Sequence, residues 1–166
     1  MHKHTQYIVQ RSKAFWVLTL FTACMVLATP SHAQSVNINC INPLIFGEII
    51  PCGSAGTLVI RPDGSAVASC VFQGSAPTSN ALCSITQSFP FRPMDVVVTT
   101  PSISITSGAN SMTVNNFNLI TNGGGDSVSL PAQPFVEVPI GATMNVGATQ
   151  ASGSYSGNFT VEVTLQ

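Results

Sequence analysis

From Gly153 to the last residue the chain alternates without a break. Gly153, Tyr155, Gly157, Phe159, Val161, Val163 and Leu165 fall on one parity, and Ser154, Ser156, Asn158, Thr160, Glu162, Thr164 and Gln166 on the other. A period of two is that of an extended strand with one face buried and one in water. A slip of one residue would bury Glu162 and expose the apolar set, so the register of such a strand is strongly specified. The same habit runs through the preceding hundred or so residues. "PLIFGEI", "GTLVIRP", "AVASCVF", "ALCSITQ", "DVVVTTP", "SISIT", "SMTVNNFNLI", "FVEVPI" and "ATMNVG" read as further strands. Gly or Pro separates them roughly every ten residues, the spacing of an all-β sandwich or barrel. No stretch shows helical spacing. "RPDGS" is a turn, with Pro62 setting φ and Asp63 and Gly64 accepting turn conformations. "TNGGGDS" reads as a loop, because its glycines precede no helix that would make a phosphate cradle.

The first 33 residues follow a different grammar. "MHKHTQYIVQRSK" is basic, "AFWVLTLFTACMVLA" is apolar, and "SHAQ" supplies small residues at Ser31 and Ala33. That order is a secretory signal peptide with cleavage after Ala33. The apolar run is too short to remain as a membrane span. Residues 34–166 then form one domain.

Removing the signal changes the chemistry on offer. All three His, both Lys and the only Trp lie within residues 1–33. The remainder carries Arg61 and Arg92 against Glu48, Asp63, Asp95, Asp126, Glu137 and Glu162, a formal charge of −4. Two arginines cannot neutralise a run of phosphates, so nucleic acid and anionic membranes are not expected partners. Without His or Lys, no serine has an obvious base. The carboxylates are scattered and read as solvent-face positions, so the expectation is no enzyme and no cofactor.

Four cysteines remain, Cys40, Cys52, Cys70 and Cys83. An even count in an exported chain reads as two disulfides. No close C-x2-C pair favours zinc, and no metal is expected. Cys70 and Cys83 flank the turn-rich "VFQGSAPTSNAL", which favours pairing them across a hairpin and leaves the other partners open.

Four short motifs occur in a fixed order: Leu44, Phe46 and Gly47; Gly56 to Gly64; Ile140 to Val146; and Gly153 to Val163. In this order the chain resembles a bacterial exported family known as domain of unknown function 4402, over nearly all of residues 40–166. That family looks related to spore coat protein U domains and to archaic chaperone–usher pilins. The resemblance implies an immunoglobulin-like, pilin-like antiparallel β-sandwich and a non-catalytic structural or surface role. It also implies assembly by β-strand donation through the strand from Gly153 to Leu165, with a periplasmic chaperone, an usher or other pilin-like subunits as partners. Leu165 stands where many pilins have a penultimate Tyr, and four cysteines are not typical of the family. The alternative is a monomeric periplasmic or extracellular module that binds a glycan or another envelope component. Either way the protein is expected outside the cytoplasm, in the periplasm, on the surface or beyond.

Export predicts a mature chain beginning at Gln34. Intact-mass measurement of secreted protein should return residues 34–166, and a lipid-modified Cys24 would contradict it.

Overall fold

The computed structural model describes residues 34–119, 125–151, 153 and 155–166. The segment read as a signal peptide lies outside the described residues. Among the described residues there are twelve strands and no helix. They are β1 (Val36–Asn42), β2 (Ile49–Pro51), β3 (Gly56–Ile60), β4 (Ala66–Ser69), β5 (Val71–Gln73) and β6 (Ala81–Gln87). The second half adds β7 (Met94–Val98), β8 (Ser102–Ser107), β9 (Asn110–Asn118), β10 (Ser127–Leu130), β11 (Phe135–Val146) and β12 (Val161–Leu165).

These strands make an antiparallel sandwich. The larger sheet has the order β1-β6-β11-β3-β4, with β9 also pairing β11 and β8 pairing β9. The smaller sheet is β10-β7-β12, and β2-β5 forms a separate two-stranded ladder. Alternation decides which side chains meet between the layers. Met94, Val96 and Val98 of β7 are buried while Asp95 and Val97 between them face outward. Across from them lie Leu58, Ile60, Ile85, Val114, Ile140 and Met144, all buried. Each such side chain contributes about 1.5–3 kcal/mol relative to exposure.

The sequence suggests two strands, "FVEVPI" and "ATMNVG", where the structure has one. β11 runs unbroken for 12 residues. Its first half pairs β6, from Phe135 opposite Thr86 to Ile140 opposite Ala81. Its second half pairs β3 through Ala142–Val146 and β9 through Gly141–Asn145. Gly141 marks the change of partners. A Cβ there would collide with the Ile60 carbonyl oxygen and the Arg61–Pro62 peptide. The glycine is required by close backbone approach and not by a turn.

One of the links from the larger sheet to the smaller is the segment after β6. Gln87 is buried, and its side chain donates to the Arg92 carbonyl (2.9 Å) and accepts from the Arg92 amide (3.1 Å). A buried amide satisfied on both ends fixes the path of that crossing. "AVASCVF" does not run as one strand. It breaks at Cys70, whose φ is +51°, so that β4 stays with β3 and β5 turns away to pair β2.

That break reassigns the disulfides. The bonds are Cys40–Cys83 and Cys52–Cys70, so the Cys70–Cys83 pairing favoured by the hairpin argument is incorrect. The "VFQGSAPTSNAL" segment is not a hairpin, because β5 pairs β2 while β6 lies between β1 and β11. Cys52 follows β2 and Cys70 precedes β5, where the Pro51–Val71 pair brings them together. Cys40 lies directly opposite Cys83 in the β1–β6 ladder.

Gly141→Ala should destabilise the fold by about 1–3 kcal/mol through overpacking. Chemical denaturation checks this, and a midpoint unchanged from wild type would contradict the close-approach role.

Candidate functional site

The sandwich is incomplete along one seam. Among the described residues β12 pairs only β7, and β1 pairs only β6. The two strands come within 8 Å of each other (Cα–Cα) yet no ladder joins them.

Hydrogen-bond parity shows what each edge presents. The Thr99 amide donates to the Thr160 carbonyl (3.1 Å), and the Gln166 amide donates to the Pro93 carbonyl (2.9 Å). With the observed register, the even-numbered residues of β12 bond to β7. Hydrogen-bonded pairs alternate in an antiparallel ladder, so the peptide groups of Val161, Val163 and Leu165 point to the other side. For β1, the Ser88 amide donates to the Ser35 carbonyl (3.0 Å), so Asn37 and Asn39 bond to β6. The peptide groups of Val36, Ile38 and Cys40 therefore face the seam.

Part of the seam opens into a cleft of about 680 Å³. Ile103, Ile105, Met112, Val114 and Met144 form an apolar floor. One lip is Ile38, Cys40 and Asn42 of β1, continued by Leu44 and Phe46. The other is Val161 with Tyr155, Gly157, Asn158 and Phe159. Val36, Val163 and Leu165 do not line the cleft, so it is open toward Cys40 and Val161 and closes toward the other end of both strands. Among the described residues no charged side chain lines it.

The segment that continues each lip is held by its own contacts. Ile45 exchanges two backbone hydrogen bonds with Ser79, both 2.9 Å. Gly47 follows with φ +71°, and a Cβ there would meet the Ala76 carbonyl oxygen at 2.7 Å. This explains the Leu44, Phe46, Gly47 motif: two side chains directed at the core cluster, then a turn that only glycine accepts. The strand expected over "PLIFGEI" does not form: within Pro43–Glu48 the backbone pairing is the Ile45–Ser79 bridge and the bond from the Gly74 amide to the Glu48 carbonyl (2.8 Å).

The terminal alternation is realised in two pieces. Val161, Val163 and Leu165 are half-buried against the core, with Glu162 and Thr164 exposed. Tyr155 and Phe159 also pack on the core, and Phe159 lies 5.0 Å from the Phe117 ring. The regular strand, however, begins only at Val161. Before it, Ser156 bridges to Thr106 of β8 through two backbone bonds of 2.9 and 3.1 Å. The Tyr155 hydroxyl donates to the Ala151 carbonyl (2.7 Å), and Gln150 donates to that hydroxyl (2.7 Å). The space beside Gly153 and Gly157 is occupied by the chain's own β8: a Cβ on Gly153 would meet Ser107 Oγ at 2.6 Å, and one on Gly157 would meet Ile105 Cγ2 at 2.9 Å. The two glycines thus let this segment seat on β8 before the chain crosses to the other sheet.

The carboxylates lie elsewhere. Asp95, on the outward side of β7, accepts hydrogen bonds from the Ser129 hydroxyl and the Gln166 side chain. Those bonds hold its carboxyl below the usual range and tie the end of β12 to β7. Asp63 is likewise lowered, by Ser65 within the "RPDGS" turn. Among the described residues no cluster of three or more His, Cys, Asp or Glu is placed to hold a metal ion. They include no helix long and apolar enough to cross a membrane.

Nothing in the sequence pointed to the cleft. Its floor residues read simply as core, and the absence of one strand leaves no residue to mark it. A family model described as a domain of unknown function (DUF4402) matches residues 36–164. No curated protein matches the chain, and no solved structure matches it.

Val161→Asp places a carboxylate against the core at the cleft lip and should cost about 1–3 kcal/mol. Thr160→Asp, one residue away and exposed, should stay within about 0.5 kcal/mol of wild type. Thermal melts of both variants test the parity, and equal tolerance would contradict it.

Proposed function

The chain belongs to the DUF4402 family, and from its open cleft we propose that it is a non-catalytic structural or surface protein that accepts a β-strand from another polypeptide. The carrying observation is the cleft flanked by β1 and β12, each with an unpaired edge turned to the seam. An added strand would hydrogen-bond both lips and lay alternate side chains on the apolar floor, the mode of β-strand addition. It would also cover two edges that are otherwise templates for aggregation. An uncharged lining suits apolar side chains. In this reading the protein is a subunit of the fimbrial or spore-coat-U kind. A periplasmic chaperone, an usher or other pilin-like subunits would supply the strand in turn. Two disulfides fit a compartment outside the reducing cytoplasm.

A monomeric glycan- or envelope-binding module is the second reading. Phe89 is 80% exposed and packs edge-on against Phe91, with ring centroids 5.8 Å apart. That gives the surface an aromatic pair of the type sugar rings stack on.

The test is a labelled peptide of about ten residues alternating Val and Thr, a typical strand length. Purified residues 34–166 should bind it with a rise in melting temperature, as a native-state ligand requires. Size exclusion and electron microscopy with a cognate chaperone should give a stable complex or fibres. A monomer that ignores the peptide and is retained on a polysaccharide resin through Phe89 would favour the second reading instead.

A further inference from the structure

Each lip of the cleft is an edge strand held by one ladder and by further contacts at its ends. β12 has its ladder with β7, and the residue that follows it, Gln166, is gripped by Asp95 and by the Arg92 guanidinium, which donates to the Gln166 carbonyl (3.4 Å). β1 has its ladder with β6, and of its seven residues Val36 and Ile38 pack on the core. Further anchors lie at its two ends. At the closed end of the seam, the Gln34 side chain donates to the Pro90 carbonyl (2.6 Å), and the Ser35 amide donates to Ser88 Oγ (2.9 Å). At the open end the anchor is the Cys40–Cys83 disulfide. Beyond Cys40 the ladder shifts register, with Asn42 opposite Leu82, and after it comes the isolated Ile45–Ser79 bridge.

The position of this disulfide is specific. Cys40 and Cys83 form a non-hydrogen-bonded pair, the class in which opposed side chains stand closest. The same parity turns the Cys40 and Ile38 peptide groups toward the cleft. The bond therefore clamps the part of the lip that an incoming strand must meet. Cys83 itself is fully buried in β6, a central strand, so the lip is fastened to the rigid part of the sheet.

Resting on the strand-acceptor reading, we infer that the Cys40–Cys83 disulfide is a positioning element of the binding cleft, holding β1 as a fixed lip for an incoming strand. Preorganising an edge removes the ordering cost that binding would otherwise incur. The bond also commits β1 to the lip. A copy that gave up β1 would lose its own cleft, so the occupant is a strand other than β1 of a second copy. The Cys52–Cys70 bond has no such role, because it closes the β2–β5 ladder and neither sulfur lines the cleft.

The Val/Thr peptide serves as the probe. Cys40→Ser/Cys83→Ser should weaken its binding by at least about tenfold, mainly through faster dissociation. Cys52→Ser/Cys70→Ser should bind within about twofold of wild type. If the serine pair fails to fold, Cys40→Val/Cys83→Ala keeps the apolar packing and replaces it. Hydrogen exchange supplies a readout that stability alone would not move. In the wild-type complex the Ile38 and Cys40 amides should gain protection while Asn37 and Asn39 keep theirs. Unchanged affinity without the Cys40–Cys83 bond, or loss of protection at Asn37 and Asn39, would overturn the inference. If wild type does not bind the peptide at all, the strand-acceptor reading itself fails.

Discussion

The structure depends on the ladders of β11. This strand pairs β6 with its first half and both β3 and β9 with its second. It thereby joins β1 and β6 at one end of the larger sheet to β3, β4, β8 and β9 at the other. Backbone hydrogen bonding leaves no slack in such an arrangement. Every residue from Phe135 to Ile140 has its partner set by β6, and every residue from Ala142 to Val146 has its partner set by β3. Where β11 changes partners another backbone approaches closely, and Gly141 is there. The buried side chains of β11, Val138, Ile140, Met144 and Val146, then fix the floor on which the smaller sheet rests.

From that frame the cleft follows as a deficit. The larger sheet ends at β1 and the smaller at β12, and between them there is no strand among the described residues. Each edge presents peptide groups from every second residue, and below them lies apolar surface from β8, β9 and β11. Unpaired edges beside an apolar floor carry two separate costs, one in hydrogen bonding and one in exposed hydrocarbon. A single extended segment would relieve both. Charge contributes nothing to selectivity here, since the lining is uncharged. Shape, alternation and the rigidity of the lips are what remain to discriminate between strands.

Much of the architecture was legible in the residues because period-two alternation is local. β6, β7 and β9 lie where "ALCSITQ", "DVVVTTP" and "SMTVNNFNLI" indicated, and Val161, Val163 and Leu165 occupy the inward parity of the last strand. The misses concern non-local geometry. The Pro139–Gly141 stretch looked like a break and is instead a change of partners inside a strand. Cys70 looked like a position within a strand and is instead a left-handed kink that sends β5 to β2. The cysteine pairing failed for the same reason: proximity in sequence favoured Cys83 for Cys70, while the ladders placed Cys40 against Cys83.

The sequence by itself determined the class of fold, the face each strand buries, the turn at "RPDGS" and, after residue 33, an even set of cysteines with only two basic side chains. These follow from the side chain each position carries and from a repeat that spans only a few neighbours. Tertiary structure alone decided which strands are neighbours, which cysteines meet, and that β1 and β12 both end as edges facing one cleft. Strand order is set by contacts between residues far apart in the chain, and an unfilled place in a sheet is a property of that order. No residue encodes a missing strand, so the cleft became visible only once every other strand had found its partner.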